Sequence, residues 1–166
     1  MVSIAHTTLT EIEKTLDTVA TSFGPFNELL DKSQLLEDGR DLFHQLPRNS
    51  RLDTVYLPPG NIPLDRVSLL FATLALFNLS KPSHSICSAF LDLSISMVEL
   101  YADRSTFELA LAIFMQHSCV LRTGTASRSR ALIHQAIQVA QEAGLHKNRL
   151  DTRGLHLYII LYFADQ

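Results

Sequence analysis

Length, composition and charge exclude several classes of protein for this chain. Its 166 residues suit one domain with a buried core, and 46% hydrophobic against 19% charged residues excludes a disordered chain. A net charge of −3 with 14 lysines and arginines disfavours autonomous nucleic-acid binding.

The N-terminal third of the sequence predicts three short helical pieces. The first begins with the capping-box spacing of Thr10 to Glu13 and ends at Gly24-Pro25. The second runs from about Phe26 through Leu36, and Asp38-Gly39 interrupts it. The third covers Asp41 to Leu46 and ends before a proline.

A proline-rich loop separates these pieces from the rest of the chain. Residues 55–63 contain three prolines and a glycine, and proline cannot donate the backbone hydrogen bond that a helix interior needs. We predict a single helical domain over 1–166. It has N-terminal helices in 1–54, the loop at 55–63 and core helices in 64–166.

Three core helices follow the loop. The segment from Leu64 to Leu79 is apolar on nearly all faces, which predicts a buried helix too short and too broken to span a membrane. A second helix begins near Ser83 with an apolar stripe at spacings of three and four: Ile86, Ala89, Phe90, Leu93, Met97 and Leu100. Ser105 with Glu108 forms a capping box that starts the third, and Gly124 stands where a left-handed cap would end it.

The fourth helix after the loop carries the most regular pattern, and an aromatic helix follows it. Ala136, Ala140 and Ala143 would let a neighbouring helix approach closely, and Gly144 predicts a left-handed cap onto which Leu145 folds back. The final helix is aromatic and aliphatic to its end, so we expect exposed apolar surface there for a partner. Strand-like alternation is absent, so the fold class is all-α, with antiparallel helix pairs packed as a partial bundle or array.

Residues that could carry chemistry are scattered. The seven histidines lack metal-ligand spacing, and we expect no metal site, no cofactor and no enzyme, although an unrecognised chemistry stays open. Cys87 and Cys119 stand among apolar residues, so we predict that both are buried and behave as small hydrophobic side chains. Arg122, Arg128 and Arg130 flank a Gly-Thr-Ala-Ser turn, which is typical of a solvated helix start. The N-terminus lacks the layout of a signal peptide, so an intracellular chain is expected.

One stretch of the chain resembles a known family. Residues 105–146 read STFELALAIFMQHSCVLRTGTASRSRALIHQAIQVAQEAGLH and end in Ala140-x-x-x-Gly144-Leu145-His146. This order of helix, turn and helix end resembles the middle homology region of fungal zinc-cluster transcription factors, the fungal-specific transcription factor domain. Residues 69–79 are similar to the family's Leu-Leu-x-x-x-Leu-Ala-Leu helix. Residues 153–165 are similar to its next helix, with tyrosines in place of the family's tryptophans.

The resemblance implies a transcription-regulatory domain in the nucleus. Such a domain would act through other domains, co-regulator proteins or a small-molecule effector. The family's six-cysteine zinc cluster is absent from these 166 residues, so direct DNA binding by this chain alone is not expected, nor is membrane binding. The family's domain also continues further, which implies a fragment, a degenerate product or a truncated relative. The alternative is a helical adaptor unrelated to transcription.

Overall fold

The protein is built from α-helices. The computed structural model describes residue 18 and residues 28–45, 62–79, 84–100, 104–123, 126–147 and 151–165, and none of these residues lies in a strand. The helices are α1 (Lys32–Gln45), α2 (Leu64–Asn78), α3 (His84–Leu100), α4 (Phe107–Thr123), α5 (Ala126–Glu142) and α6 (Thr152–Ala164). The predicted all-α class, with helices packed in pairs, is confirmed.

α2 is the central helix, and it packs against α1, α3 and α4. Leu70, Phe71 and Leu74 are at most 1% exposed, as an all-round apolar helix predicts. Two buried polar side chains of this helix form hydrogen bonds within it. Thr73 Oγ1 and Asn78 Nδ2 donate to backbone carbonyl oxygens one turn earlier, at 2.8 and 2.7 Å.

A buried polar cluster joins α2 to α3 and α4. Ser94 Oγ donates to the carbonyl oxygen of Ser68 at 2.8 Å and accepts from Gln116 Nε2 at 2.8 Å. The rings of Phe71 and Phe90 stack with centroids 6.0 Å apart. Because Ser68 meets Ser94 and Phe71 meets Phe90, α2 and α3 run antiparallel.

α4 and α5 form a second antiparallel pair. His117 contacts Ser129 near one end of the pair, and Ser105, just before α4, reaches Glu142 at the other. Ala136 and Ala140 on α5 are fully buried, as their predicted role in a close helix approach requires.

The predicted start of the second helical piece near Phe26 is wrong for the residues that the structure describes. Glu28 and Leu29 lie in a turn, and α1 begins at Lys32. Asp31 Oδ1 accepts the backbone N–H of Gln34 at 3.1 Å, so this carboxylate is the N-cap that sets the start of the helix.

The predicted break at Asp38-Gly39 is also wrong, because α1 continues through both residues and joins the second and third predicted pieces. The Asp38 carboxylate is buried in an ion pair with Arg66 of α2, and Gly39 is buried as well. Tertiary contact therefore overrides the weak helix propensity of the Asp-Gly pair.

The predicted capping box at Ser105 is misplaced by one residue. α4 begins at Phe107, and Thr106 Oγ1 accepts the backbone N–H of Leu109 at 3.1 Å. Ser105 Oγ donates instead to Glu142 Oε2 of α5 at 2.6 Å. Thr106 is the N-cap because its hydroxyl also donates to Asp65 Oδ2 of α2 at 2.8 Å, which fixes its orientation.

Several predictions fall outside the residues that the structure describes. They are the capping box at Thr10 to Glu13, the stop at Gly24-Pro25, the loop over residues 55–61 and the cap at Gly124. Ile62 and Pro63, the last residues of the predicted loop, directly precede α2.

Candidate functional site

The Ala140, Gly144, Leu145 and His146 motif ends α5 with a left-handed glycine cap. Gly144 has φ of +72°, and its N–H donates to the carbonyl oxygen of Gln141 at 3.0 Å. The N–H of Leu145 donates to the carbonyl oxygen of Ala140, also at 3.0 Å. These two bonds form a Schellman motif, and Leu145 is buried at 6% exposure. The predicted cap and the folding back of Leu145 are confirmed.

His146 continues this turn and contacts α6. Its ring lies 5.4 Å from the Tyr158 ring, tilted by 38°. The Tyr158 hydroxyl accepts a hydrogen bond from Gln141 Nε2 of α5 at 3.3 Å. His146 Nδ1 is buried and finds no hydrogen-bond partner within the described part of the chain. The motif therefore reverses the chain and holds α6 against α5.

The N-terminus of α6 is held by three further contacts. Asp151 Oδ1 accepts the N–H of Gly154 at 3.0 Å and caps the helix. The Arg153 guanidinium donates to the carbonyl oxygen of Leu29 and lies 4.9 Å from the centre of the Phe107 ring. α6 is thus fixed to the segment before α1 and to the start of α4.

The outer face of α6 carries an exposed apolar stripe, which we call the α6 stripe: Ile159, Tyr162 and Phe163. These side chains are 44%, 58% and 71% exposed, whereas Leu157 and Leu161 on the inner face are fully buried. Positions three and four apart share one helix face, so the three side chains are neighbours. The exposed apolar surface expected on the last helix is present.

Side-chain contacts lie within and beside the α6 stripe. The Tyr162 and Phe163 rings meet edge to face with centroids 6.2 Å apart. Beside them, His134 Nε2 of α5 lies 2.8 Å from Asp165 Oδ1. The contact of His134 with Asp165 and that of Gln141 with Tyr158 show that α5 and α6 run antiparallel.

The described histidine side chains contact protein groups at separate places. His117 Nδ1 lies 2.8 Å from the carbonyl oxygen of Ser129 and 3.0 Å from its hydroxyl. His156 Nδ1 lies 3.3 Å from Glu28 Oε2. Across the described residues, no three metal-ligating side chains converge. The side chains of His6, His44 and His84 lie outside that part of the chain.

The structure brings together two residues that sequence spacing did not connect. Cys87 on α3 and Cys119 on α4 are both buried, as predicted, and interaction with Cys119 lowers the pKa of Cys87. The two residues are 32 positions apart, and only the packing of α3 on α4 makes them neighbours. No motif in the sequence signals this contact.

Cavities open between the helices that the structure describes. One, of about 160 Å³, lies over the ion pair of Asp38 with Arg66. Another, of about 600 Å³, is lined by Cys87, Asp92 and the cavity-facing residues Arg122 and Arg128. Of these two, the larger cavity falls in the range of roughly 300–1,000 Å³ in which small molecules usually bind.

Comparisons with known proteins leave the geometry as the main guide to function. No family model, no curated protein and no solved structure matches this chain. Within the described residues, no helix is both long enough and apolar enough to cross a membrane.

Proposed function

We propose that this chain is a non-enzymatic, transcription-regulatory helical domain that binds a protein partner through the α6 stripe. The observation that carries the proposal is the exposure of Ile159, Tyr162 and Phe163 on one face of a single helix. Singly exposed apolar residues are ordinary, whereas contiguous ones mark interaction surfaces. Tyrosine and phenylalanine are also enriched in protein interfaces.

The motif that carries the family resemblance supports the same surface. Gly144 and Leu145 cap α5, and the His146 ring contacts the Tyr158 ring of the helix that bears the α6 stripe. The residues that resemble the fungal regulatory region thus build the support for the proposed interface. By that resemblance we place the chain in the nucleus, with other domains or co-regulator proteins as partners.

A small-molecule effector is a further expectation from the resemblance. The cavity of about 600 Å³ between α3 and α4 has the size for one. The proposal gives the chain no direct contact with DNA. With a net charge of −3, the chain lacks the basic character that phosphate binding requires.

A tethered reporter assay tests both parts of this proposal. The chain is fused to an unrelated DNA-binding domain, and reporter transcription is compared with that of the DNA-binding domain alone. We expect a several-fold change in output, because a partner bound by the α6 stripe would be recruited to the promoter. The double variant Tyr162→Ser/Phe163→Ser should lose this change, since it removes the two most exposed side chains of the stripe.

Leu121→Ser is the matched control, because Leu121 is 60% exposed on α4 and lies outside the stripe. It should keep the output of the parent chain, and circular dichroism should show that both variants fold. A fusion that reaches the nucleus and leaves transcription unchanged contradicts the regulatory part of the proposal. A helical adaptor unrelated to transcription, which the α6 stripe supports equally, then becomes the proposed function.

A further inference from the structure

The cavity of about 600 Å³ lies where four helix termini meet. Its lining includes Leu79 directly after α2, Cys87 in the first turn of α3, Val120 in the last turn of α4 and Arg128 in the first turn of α5. Two helices begin at this cavity and two end there, so the partial charges of their termini oppose one another. The side chains therefore determine which ligand charge the cavity prefers.

The floor of the cavity is apolar. Cys87, Leu91 and Val120 are 3%, 7% and 2% exposed, and the partly buried Leu79 lies beside them in the lining. Among the described residues that line the cavity, none is aromatic, so no ring is offered on which a planar ligand could stack. An aliphatic chain is the ligand group that this floor matches.

The rim of the cavity is polar and exposed to solvent. It consists of Ser88 and Asp92 of α3, Arg122 and Thr123 of α4, and Arg128 of α5. Two guanidinium charges against one carboxylate leave the rim with one net positive charge. Guanidinium groups bind carboxylates through charge-assisted hydrogen bonds. A single carboxylate on the ligand therefore matches the rim in both charge and chemistry.

We propose that this cavity binds a small aliphatic monocarboxylate, with its chain on the apolar floor and its carboxylate at the rim beside Arg122 and Arg128. The volume of about 600 Å³ is within the usual range for a small-molecule site. The inference rests on the proposed function in one respect, because it names the chemical class of the effector expected for this chain.

A titration of the full chain with sodium octanoate, followed by heteronuclear NMR, tests the site. We expect saturable binding of one octanoate per chain, with the largest shifts at the amides around Cys87, Leu91 and Val120. Octanamide is the matched ligand control, since it has the same chain and no charge. It should bind about fivefold more weakly than octanoate, because it cannot pair with the positive rim.

A charge reversal at the rim tests the role of the arginines. Arg128→Glu should raise the dissociation constant for octanoate by about tenfold, since it replaces an attraction with a repulsion. Arg130→Glu is the matched control, because Arg130 is also exposed on α5 and lies outside the cavity lining. It should leave the affinity within about twofold of the parent value, because exposed charges away from the ligand are screened by salt.

Three results would overturn the inference. They are equal affinities for octanoate and octanamide, equal effects of the two glutamate variants, and the lack of saturable shifts at the cavity. The titration measures no transcription, so its outcome is separate from that of the reporter assay. A chain that binds octanoate and leaves the reporter unchanged keeps this site and loses the regulatory function. A chain that changes the reporter and does not bind octanoate loses this inference alone.

Discussion

At Gly144 the left-handed backbone conformation alone determines how much an added side chain would destabilise the fold. An added Cβ would meet no atom within 4 Å, and φ is +72°. Gly144→Ala should therefore lower the free energy of unfolding by about 1–2 kcal/mol, the usual cost of the left-handed conformation for a residue with a Cβ. The change is measured as a lower urea midpoint at unchanged slope.

Gly144→Asn is the control for that substitution, because asparagine tolerates the left-handed region better than alanine does. It should lose less stability than Gly144→Ala. An unchanged midpoint for the alanine variant would mean that the cap does not stabilise the end of α5.

Local sequence does not determine whether Ser105 or Thr106 is the N-cap of α4. Both hydroxyls precede α4, and a capping-box spacing identifies that an N-terminus is near. Asp65 on α2 orients Thr106, while Ser105 is drawn to Glu142 on α5 and lowers the pKa of that carboxylate. Both partners lie about forty positions from these hydroxyls in sequence, so only the packed fold selects the cap.

At the scale of elements, sequence periodicity predicted α2 to α6 better than α1. The all-round apolar character of α2 predicted that it lies in the core. The regular apolar stripe and the glycine cap predicted the extent of α5. α1 is more polar and depends on Asp38 for its contact with Arg66, so its continuity could not be predicted from local propensity.

The ion pair of Asp38 with Arg66 joins α1 to α2 and makes stability depend on pH. Burial raises the pKa of Asp38 above its ordinary value of 3.8, and the hydrogen bond and charge of Arg66 oppose this rise without cancelling it. Folded Asp38 therefore binds its proton more tightly than unfolded Asp38. Between the ordinary and the raised pKa, the folded state holds more protons, so stability falls as pH rises.

The measurement compares the parent chain with Asp38→Asn, which has a similar shape and does not titrate. The difference in unfolding free energy, parent minus variant, should decrease as pH rises from about 3.8 through the raised pKa and stay constant above it. Only this pH dependence is diagnostic, because the loss of the ion pair adds an offset that pH does not change. A difference that increases with pH would mean that Arg66 lowers the pKa of Asp38 more than burial raises it.

At the scale of the molecule, α2 is the most buried of the described helices and α6 the least. α2 is covered by three helices, whereas α6 packs mainly on α5, with a smaller contact on α4. Its inner face buries Leu157, Leu161 and Gly154, and its outer face leaves the α6 stripe exposed. A helix with few buried apolar contacts opens at lower free energy than the core does.

Native-state hydrogen exchange should therefore resolve two levels of opening. Amides of α6 should exchange through a local opening, whereas those of α2 should exchange only on global unfolding. Leu74→Ala, in the fully covered helix, should lower protection throughout by about 2–5 kcal/mol, and Leu157→Ala should act chiefly on α6. Equal protection of α6 and α2 would contradict this gradient. If the gradient holds, a partner that covers the α6 stripe should raise α6 protection selectively, because it binds only the closed form.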